Sequence, residues 1–325
     1  MRYDETRRRF IRNVALGALG LSLPGMRFGL IGGGRSKVVI SKDPGVISED
    51  LSVNSRALGS MLDEALAALT GKDPIDGLRS IFSPKDVVGI KVNTLSGRRL
   101  STHPELAYAV AERLIKAGVK PERIIIWDRF DSELREAGYR INRTGRDIQC
   151  YGTEENYDED VTIHRNVAVC FSLILRRCTA LINLPVLKQH EIAGVTIALK
   201  NWFGAIHNPN KYHDNGCDPY IADLSSIGEL KRKKRLVICD ALLCQYEFGP
   251  SYKPRYAWRE GAILVSRDEV ALDRVGMEII DRKRKEAGLK PLRERPEWCR
   301  YIFTAADREH RLGVADLKRI EVVRV

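Results

Sequence analysis

Long apolar runs and paired cysteine motifs are missing from this 325-residue sequence. The longest apolar stretch, residues 14–25, is short and rich in glycine. A helix that crosses a bilayer needs about 20 apolar residues, so a polytopic membrane protein is excluded. Seven cysteines are too few for a disulfide scaffold, and neither C-x-x-C nor the run C-x-x-C-x-x-C-x-x-x-C occurs. The sequence therefore contains no iron–sulfur motif.

The common nucleotide-binding and hydrolase motifs are absent too. There is no P-loop and no G-x-S-x-G, and Gly32-Gly33-Gly34 follows no predicted strand. No internal repeat or heptad pattern is found. Motifs alone therefore assign no reaction to this chain.

The composition is that of a globular protein, with 44% hydrophobic and 30% charged residues. Part of the formal net charge of +11 comes from residues 1–35, which hold seven arginines. The excess in the remaining chain is too small to predict a nucleic-acid partner. The basic run 231–235 is interpreted as the C-terminal end of a helix, where positive charges interact favourably with the helix dipole.

The first residues resemble a bacterial twin-arginine export signal. TRRRFIR at residues 6–12 precedes an apolar Gly/Ala/Leu run that Pro24-Gly25 ends. We predict a twin-arginine signal segment over residues 1–35, with the twin-arginine translocase as partner. The alternative is a basic surface helix. The signal predicts an exported protein. Because no A-x-A cleavage site follows, the protein is expected to be either periplasmic or anchored to the membrane through an uncleaved N-terminal segment alone.

Short buried runs alternate with helical patterns over the rest of the chain. The predicted strands are 38–41, 87–92, 123–127, 180–187, 236–238 and 262–265, with an edge strand at 320–325. The predicted helices are 55–69, 104–117, 219–230 and 269–286. This alternation predicts one large α/β domain over residues 36–325, with a largely parallel or mixed sheet and helices on both faces.

Polar residues follow the predicted strands. Lys91 and Asn93 end one strand, Lys188 and His190 end another, and Asp240 ends a third. Ligands of parallel α/β sheets bind outside the carboxyl ends of the strands. We therefore expect these side chains to lie in one crevice. Two further aspartates, Asp128 and Asp268, are interpreted as caps of the helix that follows each strand.

The apolar segment 192–204 is predicted to be a buried helix in which Thr196 and Lys200 share a face. A buried lysine needs a partner, because an unpaired buried charge is costly. One interpretation is an ion pair of Lys200 with Asp240 or Asp223. We favour the other, in which Lys200 joins neighbouring basic and polar groups in binding an anion. That predicted set is Lys91, Asn93, Thr196, Lys200 and Asn201.

Histidines indicate a possible metal site. His190, His207 and His213 lie within twenty-four residues. The predicted ligands are His190, His213 and Asp223, although the spacing matches no standard zinc pattern and loop histidines are often simply solvated. His103 is expected to begin a helix, and we assign no role to His164 or His310.

Several motifs in this order resemble the domain of unknown function 362 family, over about residues 38–285. They are VGIKVN at 88–93, THPEL at 102–106, IIIWD at 124–128, NLPVLKQH at 183–190, LKN at 199–201 with Gly204, ADL at 222–224 and CDA at 239–241. The resemblance implies a fold and a residue set but no settled reaction. Several members carry a ferredoxin-type domain, but its cysteine run does not occur in this sequence, so an iron–sulfur role is not implied. The loop after Asp240 keeps only Glu247 and Gly249-Pro250 of the family pattern.

Three functions remain open. The first is an exported enzyme for a small anionic substrate, with His190, Lys188 and Asp240 as catalytic residues and with or without a divalent metal. The second is an anion- or metal-binding protein without turnover. The third is a redox accessory protein that docks to a partner and has no cluster of its own.

Overall fold

A mixed sheet of ten strands runs through the part of the chain that the structure, a computed structural model, describes, residues 35–325. The strands are β1 (Ser36–Lys42), β2 (Val88–Lys91), β3 (Ile124–Trp127), β4 (Gln149–Cys150), β7 (Ala180–Asn183), β8 (Val186–His190), β9 (Gly194–Thr196), β10 (Lys234–Gln245), β11 (Ala257–Ser266) and β12 (Ile320–Arg324). Their order in the sheet is β12-β1-β11-β10-β7-β2-β3-β4, with β8 beside β10 and β9 beside β8. A separate antiparallel pair is formed by β5 (Thr162–His164) and β6 (Val167–Val169).

The sheet is parallel from β10 to β4, whereas β11 runs antiparallel to both β10 and β1. The predicted mixed sheet is confirmed, and β12 is the predicted edge strand, parallel to β1. The carboxyl ends of β2, β3 and β7 therefore meet at one edge of the sheet.

Helices cover both faces of the sheet, as predicted. They are α1 (Ser55–Thr70), α2 (Pro74–Ile81), α3 (Pro104–Lys116), α4 (Asp131–Glu136), α5 (Leu173–Arg177), α6 (Ala198–Asn201), α7 (Tyr220–Ser226), α8 (Gly228–Lys233), α9 (Glu269–Glu286) and α10 (Arg300–Ala306). Side chains alternate along a strand, so Ile124 and Ile126 join the core that contains Leu58 of α1. Ile125 and Trp127 join the opposite core.

Local signals explain the helix boundaries. Asn54 accepts hydrogen bonds from two backbone N–H groups at the start of α1, and Gly71 ends that helix at φ 69°. Asp268 accepts from the backbone of Ala271 at the start of α9, so its capping interpretation is confirmed. His103 precedes Pro104, the first residue of α3, as expected.

Three predicted elements differ from the structure. The expected strand 180–187 is broken before Pro185, which has no N–H for a sheet, and β10 therefore pairs first with β7 and then with β8. The expected helix 219–230 is two short helices, α7 and α8. The segment 192–204 is a strand, β9, followed by α6, so Thr196 and Lys200 do not share a helix face.

Residues 35–325 belong to one compact unit. None of the helices described over these residues is both long and apolar enough to span a membrane. The predicted export signal lies outside the described residues, apart from Arg35.

Candidate functional site

The β8–β9 hairpin builds one wall of the candidate site. Lys188 lies opposite Thr196 across the two strands, and His190 lies opposite Gly194. Directly opposed residues share a face of an antiparallel pair, and residues two apart on one strand share it as well. Lys188, His190 and Thr196 therefore point to the same side, which the two-residue spacing of Lys188 and His190 predicts.

A second group of side chains faces the hairpin from α6 and the loop that follows it. The Lys200 ammonium donates a hydrogen bond to Nε2 of His213 over 3.1 Å, and it lies 4.5 Å from the centre of the Phe203 ring. The His213 ring stacks on His190, with 5.8 Å between ring centres. The two groups thus meet through their histidines.

Hydrogen bonds define which nitrogen of each imidazole carries the proton. The backbone N–H groups of Ile192 and Ala193 donate to Nδ1 of His190 over 3.1 and 3.3 Å, so the ring proton is on Nε2. Nδ1 of His213 donates to the Pro209 carbonyl over 3.1 Å, which leaves Nε2 as the acceptor for Lys200. His190 therefore offers a donor at Nε2, while His213 offers a base.

Burial and mutual repulsion disfavour positive charge in this cluster. Burial lowers the pKa of Lys200 to about 8. Burial, with Lys200 and His213 nearby, lowers the pKa of His190 to about 2, so this ring is neutral at physiological pH. The pKa of His213 is also lowered, by burial and then by Lys200. Both imidazoles are consequently neutral beside a lysine that keeps its proton near pH 7.

Hydrogen-bond donors outnumber acceptors here. The Thr196 hydroxyl is buried and has no hydrogen-bond partner among the described residues. Over residues 35–325, no carboxylate oxygen lies within 4.0 Å of the Lys200 nitrogen. Lys200 thus lacks a counter-charge and the Thr196 hydroxyl lacks an acceptor within the described residues, and a bound anion would balance the buried charge.

Lys188 is not available in the same way. Its ammonium donates to Asn93 Oδ1 over 2.9 Å, to Ser96 Oγ over 2.7 Å and to the Leu100 carbonyl over 3.2 Å. All three donors are thus used on neutral oxygens. Because burial dominates, the pKa of Lys188 is lowered to about 7. Lys188 therefore holds the loop after β2 in place.

Two predicted anion-binding amides instead connect strand ends. Asn93 donates to Asn201 Oδ1 over 3.1 Å, and Asn201 donates to Asn183 Oδ1 over 2.8 Å. Asn183 in turn donates to Glu269 over 2.6 Å. This buried chain of amides joins the ends of β2 and β7 to α9. Asn93 and Asn201 therefore hold the strand ends in position, and their side chains are used in these hydrogen bonds.

Lys91 is neutralised by a carboxylate. Its ammonium lies 2.6 Å from Asp128 Oδ1 at the end of the neighbouring strand, and both residues are buried. Asp128 also accepts from the backbone N–H and the hydroxyl of Thr94. Gly204 lies against this pair, since a Cβ there would be 2.6 Å from the Lys91 nitrogen. Lys91 therefore does not supply an unpaired charge to the site.

Asp240 lies with His103, not with His190. Its Oδ2 accepts from both the backbone N–H and the ring Nδ1 of His103, each over 2.8 Å. The expected His190–Asp240 catalytic pair is therefore corrected to a His103–Asp240 pair. Burial lowers the pKa of His103, but the Asp240 charge outweighs it, so the net pKa is raised.

The expected metal ligands are not brought together. His190 and His213 are stacked, but Asp223 contacts His310 over 2.9 Å and Asn166 over 2.9 Å. No group of three or more His, Cys, Asp or Glu residues in the described chain could hold a metal ion. His310, to which the sequence assigned no role, is buried between Asp223 and Asp307.

A separate cavity lies away from these residues. It has a volume of about 310 Å³ and is lined by Ile40, Val275 and Ile279 together with Lys42 and Glu260. Glu260 in its lining forms ion pairs with Lys42 over 2.8 Å and with Arg282 over 2.9 Å. The group of Lys200, His190, His213 and Thr196, the Lys200 cluster, is the better candidate on chemical grounds, because its charge is not balanced within the described residues.

Sequence reasoning missed several residues that shape the site. The Phe203 ring makes a cation–π contact with Lys200, and His103 hydrogen-bonds to Asp240. Glu269 accepts the last hydrogen bond of the amide chain, from Asn183. Asn183 had a usable signal, since it is a polar residue within the apolar run 180–187. No sequence signal indicates the partner of Asp240, because His103 is 137 residues away in the chain.

Comparisons with known proteins agree with the resemblance noted above. None of the curated proteins compared with the chain matches it. The family model described as "Domain of unknown function (DUF362)" matches residues 88–278, more than half of the chain. That span includes β2 to β11 and every residue of the Lys200 cluster. The chain therefore belongs to the DUF362 family.

Proposed function

We propose that this protein is an enzyme that acts on a small anionic substrate, bound by Lys200, His190 and Thr196. The observation that supports this most directly is the buried Lys200 ammonium, whose contacts are a neutral imidazole and an aromatic ring. An ammonium group without a counter-charge is costly to bury. A bound carboxylate or phosphate supplies the missing charge.

Each residue has a distinct part in this proposal. Lys200 provides the charge, while the His190 Nε2–H and the Thr196 hydroxyl donate hydrogen bonds to the anion. His213 holds a neutral nitrogen against Lys200 and can accept its proton. Lys188, Asn93 and Asn201 fix the surrounding backbone. Asp240 belongs to the neighbouring His103 pair and is not assigned to this cluster.

Calorimetric titration of the full chain with oxalate and with inorganic phosphate tests the anion site. We expect one oxalate per chain to bind to the wild type and binding to be lost in Lys200→Met. Thr196→Val keeps the side-chain shape but removes the hydroxyl, and it should weaken binding roughly tenfold, the equivalent of about 1.4 kcal/mol.

Lys211→Met is the matched control. It removes a lysine from the loop next to His213, but Lys211 is exposed and donates only to the Ala168 carbonyl. Binding that persists equally in Lys200→Met and Lys211→Met would contradict the proposal. Binding that is lost only in Lys200→Met supports it.

We also propose export through the twin-arginine pathway. The support is the sequence alone, TRRRFIR followed by the apolar run. The test is fractionation of bacterial cells that express the full chain with Arg7 and Arg8 either intact or both replaced by Lys. Periplasmic or membrane-attached protein that becomes cytoplasmic in the double variant supports the proposal. An unchanged distribution contradicts it.

A further inference from the structure

Lys200 combines three properties, and a lysine that only binds an anion through its charge does not need all of them. It is buried, it lies over an aromatic ring, and its ammonium is hydrogen-bonded to a nitrogen base. We infer that Lys200 forms an imine with the carbonyl carbon of a small 2-oxo acid. This inference rests on the proposed anion site and specifies its substrate class.

The base is placed to activate the amine. A lysine must lose a proton before its nitrogen can attack a carbonyl carbon. Nε2 of His213 is 3.1 Å from the Lys200 nitrogen, and the hydrogen bond from Nδ1 to Pro209 places the proton of the neutral ring on Nδ1, which leaves the lone pair of Nε2 facing the amine. The proton therefore has an acceptor in direct contact with its donor.

The surroundings favour the neutral amine. A carboxylate beside Lys200 would hold it as an ammonium ion, and none of the described residues places one within 4.0 Å. Burial itself lowers the pKa of Lys200 to about 8. Lys91 shows the contrast, because its contact with Asp128 keeps it as an ion pair.

The remaining donors suit the carboxylate of the same substrate. The His190 Nε2–H and the Thr196 hydroxyl lie on the face of the hairpin that meets Lys200 through the stacked histidines. A 2-oxo acid places a carboxylate on the carbon next to the carbonyl. One small molecule can thus use the donors and the amine at once, whereas phosphate uses only the donors.

The step is balanced by the residues present. The Lys200 ammonium gives one proton to His213 Nε2, and the neutral nitrogen then forms a bond to the carbonyl carbon as the C=O pair moves onto oxygen. A second proton passes from nitrogen to that oxygen. His213 then returns its proton to the hydroxyl, which leaves as water while the nitrogen lone pair forms the protonated imine. No oxidant or reductant is needed.

Reductive trapping tests this inference. The full chain is incubated with pyruvate and sodium borohydride, which reduces an imine irreversibly, and is then measured by intact mass and peptide mapping. We expect one reduced pyruvate adduct on the peptide that contains Lys200. Oxalate carries two carboxylates but no ketone or aldehyde carbonyl, so an excess of it should prevent the adduct.

Two variants separate the possible outcomes. Lys200→Arg keeps the charge but cannot form an imine, so it should lose the adduct, whereas Lys211→Arg should keep it. Oxalate binding to the wild type without an adduct on Lys200 would overturn the imine and leave the anion site intact. An adduct spread over exposed lysines and unaffected by oxalate would also overturn it. If oxalate does not bind at all, the proposed function itself fails.

Discussion

The ammonium of Lys200 donates to Nε2 of His213, so a buried cation in this fold is paired with a neutral base. Elsewhere in the same structure, the buried Lys91 is paired with the Asp128 carboxylate. Stability alone explains the second arrangement. The Lys200–His213 arrangement lowers the free energy of unfolding, which is typical of residues that have a chemical function. This difference between two lysines leads to opposite expectations for their removal.

Replacing Lys200 with Met should stabilise the protein. The variant keeps much of the apolar side chain and removes the cost of burying a charge, so the free energy of unfolding should rise by about 1–2 kcal/mol. The gain should grow as the pH falls from 10.5 toward about 8, because the unfolded chain binds the Lys200 proton more tightly than the folded chain does. Urea unfolding across this range measures it, and a loss of stability in Lys200→Met would contradict the assignment.

Replacing Lys91 with Met should do the reverse. Asp128 would be left buried without its counter-charge, and breaking a buried ion pair costs about 3–5 kcal/mol. Urea unfolding of Lys91→Met, Asp128→Asn and the double variant gives the coupling between the two side chains. Losses that simply add in the double variant would show that the two residues do not act as a pair.

Oxalate affinity should fall as the pH rises above about 8. Lys200 then loses the proton that attracts the anion, since burial has lowered its pKa to about 8. His190 should add no step of its own at neutral pH, because its pKa is lowered to about 2. Calorimetric titrations at several pH values measure this dependence. A fall in affinity centred at about pH 7 or below would instead indicate that binding depends on His213 or on Lys188, whose pKa burial lowers to about 7.

The His103–Asp240 pair should stabilise the fold mainly at acidic pH. The folded pKa of His103 is raised above its usual 6.5, so its contribution is fully present below that pH and is lost as the pH rises through the folded pKa. His103→Asn should therefore lose more stability at about pH 5.5 than at about pH 8.5. Urea unfolding at the two pH values measures the difference. An equal loss at both would exclude a charged His103 as the stabilising form.

Asp223 and His310 should matter for stability and not for the anion. Asp223→Asn weakens the buried contact with His310, which costs about 1–3 kcal/mol when a polar group is left unpaired. Oxalate titration should give the wild-type affinity, because Asp223 has no contact with the Lys200 cluster. Loss of oxalate binding together with a wild-type melting temperature would return Asp223 to the site.

Periodicity in the sequence was sufficient to predict the layers and the edge strand of this fold. Runs such as 124–127 are apolar at every position because both faces of the sheet are covered, and helix 269–286 was predicted at its observed bounds. Periodicity did not predict that the apolar run 180–187 forms two strands, which separate at Pro185. A continuous apolar run does not reveal that a proline removes one ladder hydrogen bond and redirects the chain.

Residue spacing along the chain predicts which side chains share a strand face, and it places lysines at this edge of the sheet. The two-residue spacing of Lys188 and His190 is a local property of extended backbone. The hydrogen-bond partners of these side chains depend instead on how the strands and loops pack. Asp240 meets His103, Lys91 meets Asp128 and Lys200 meets His213, because each buried polar group pairs with whatever the strand order and loop packing bring within hydrogen-bond distance.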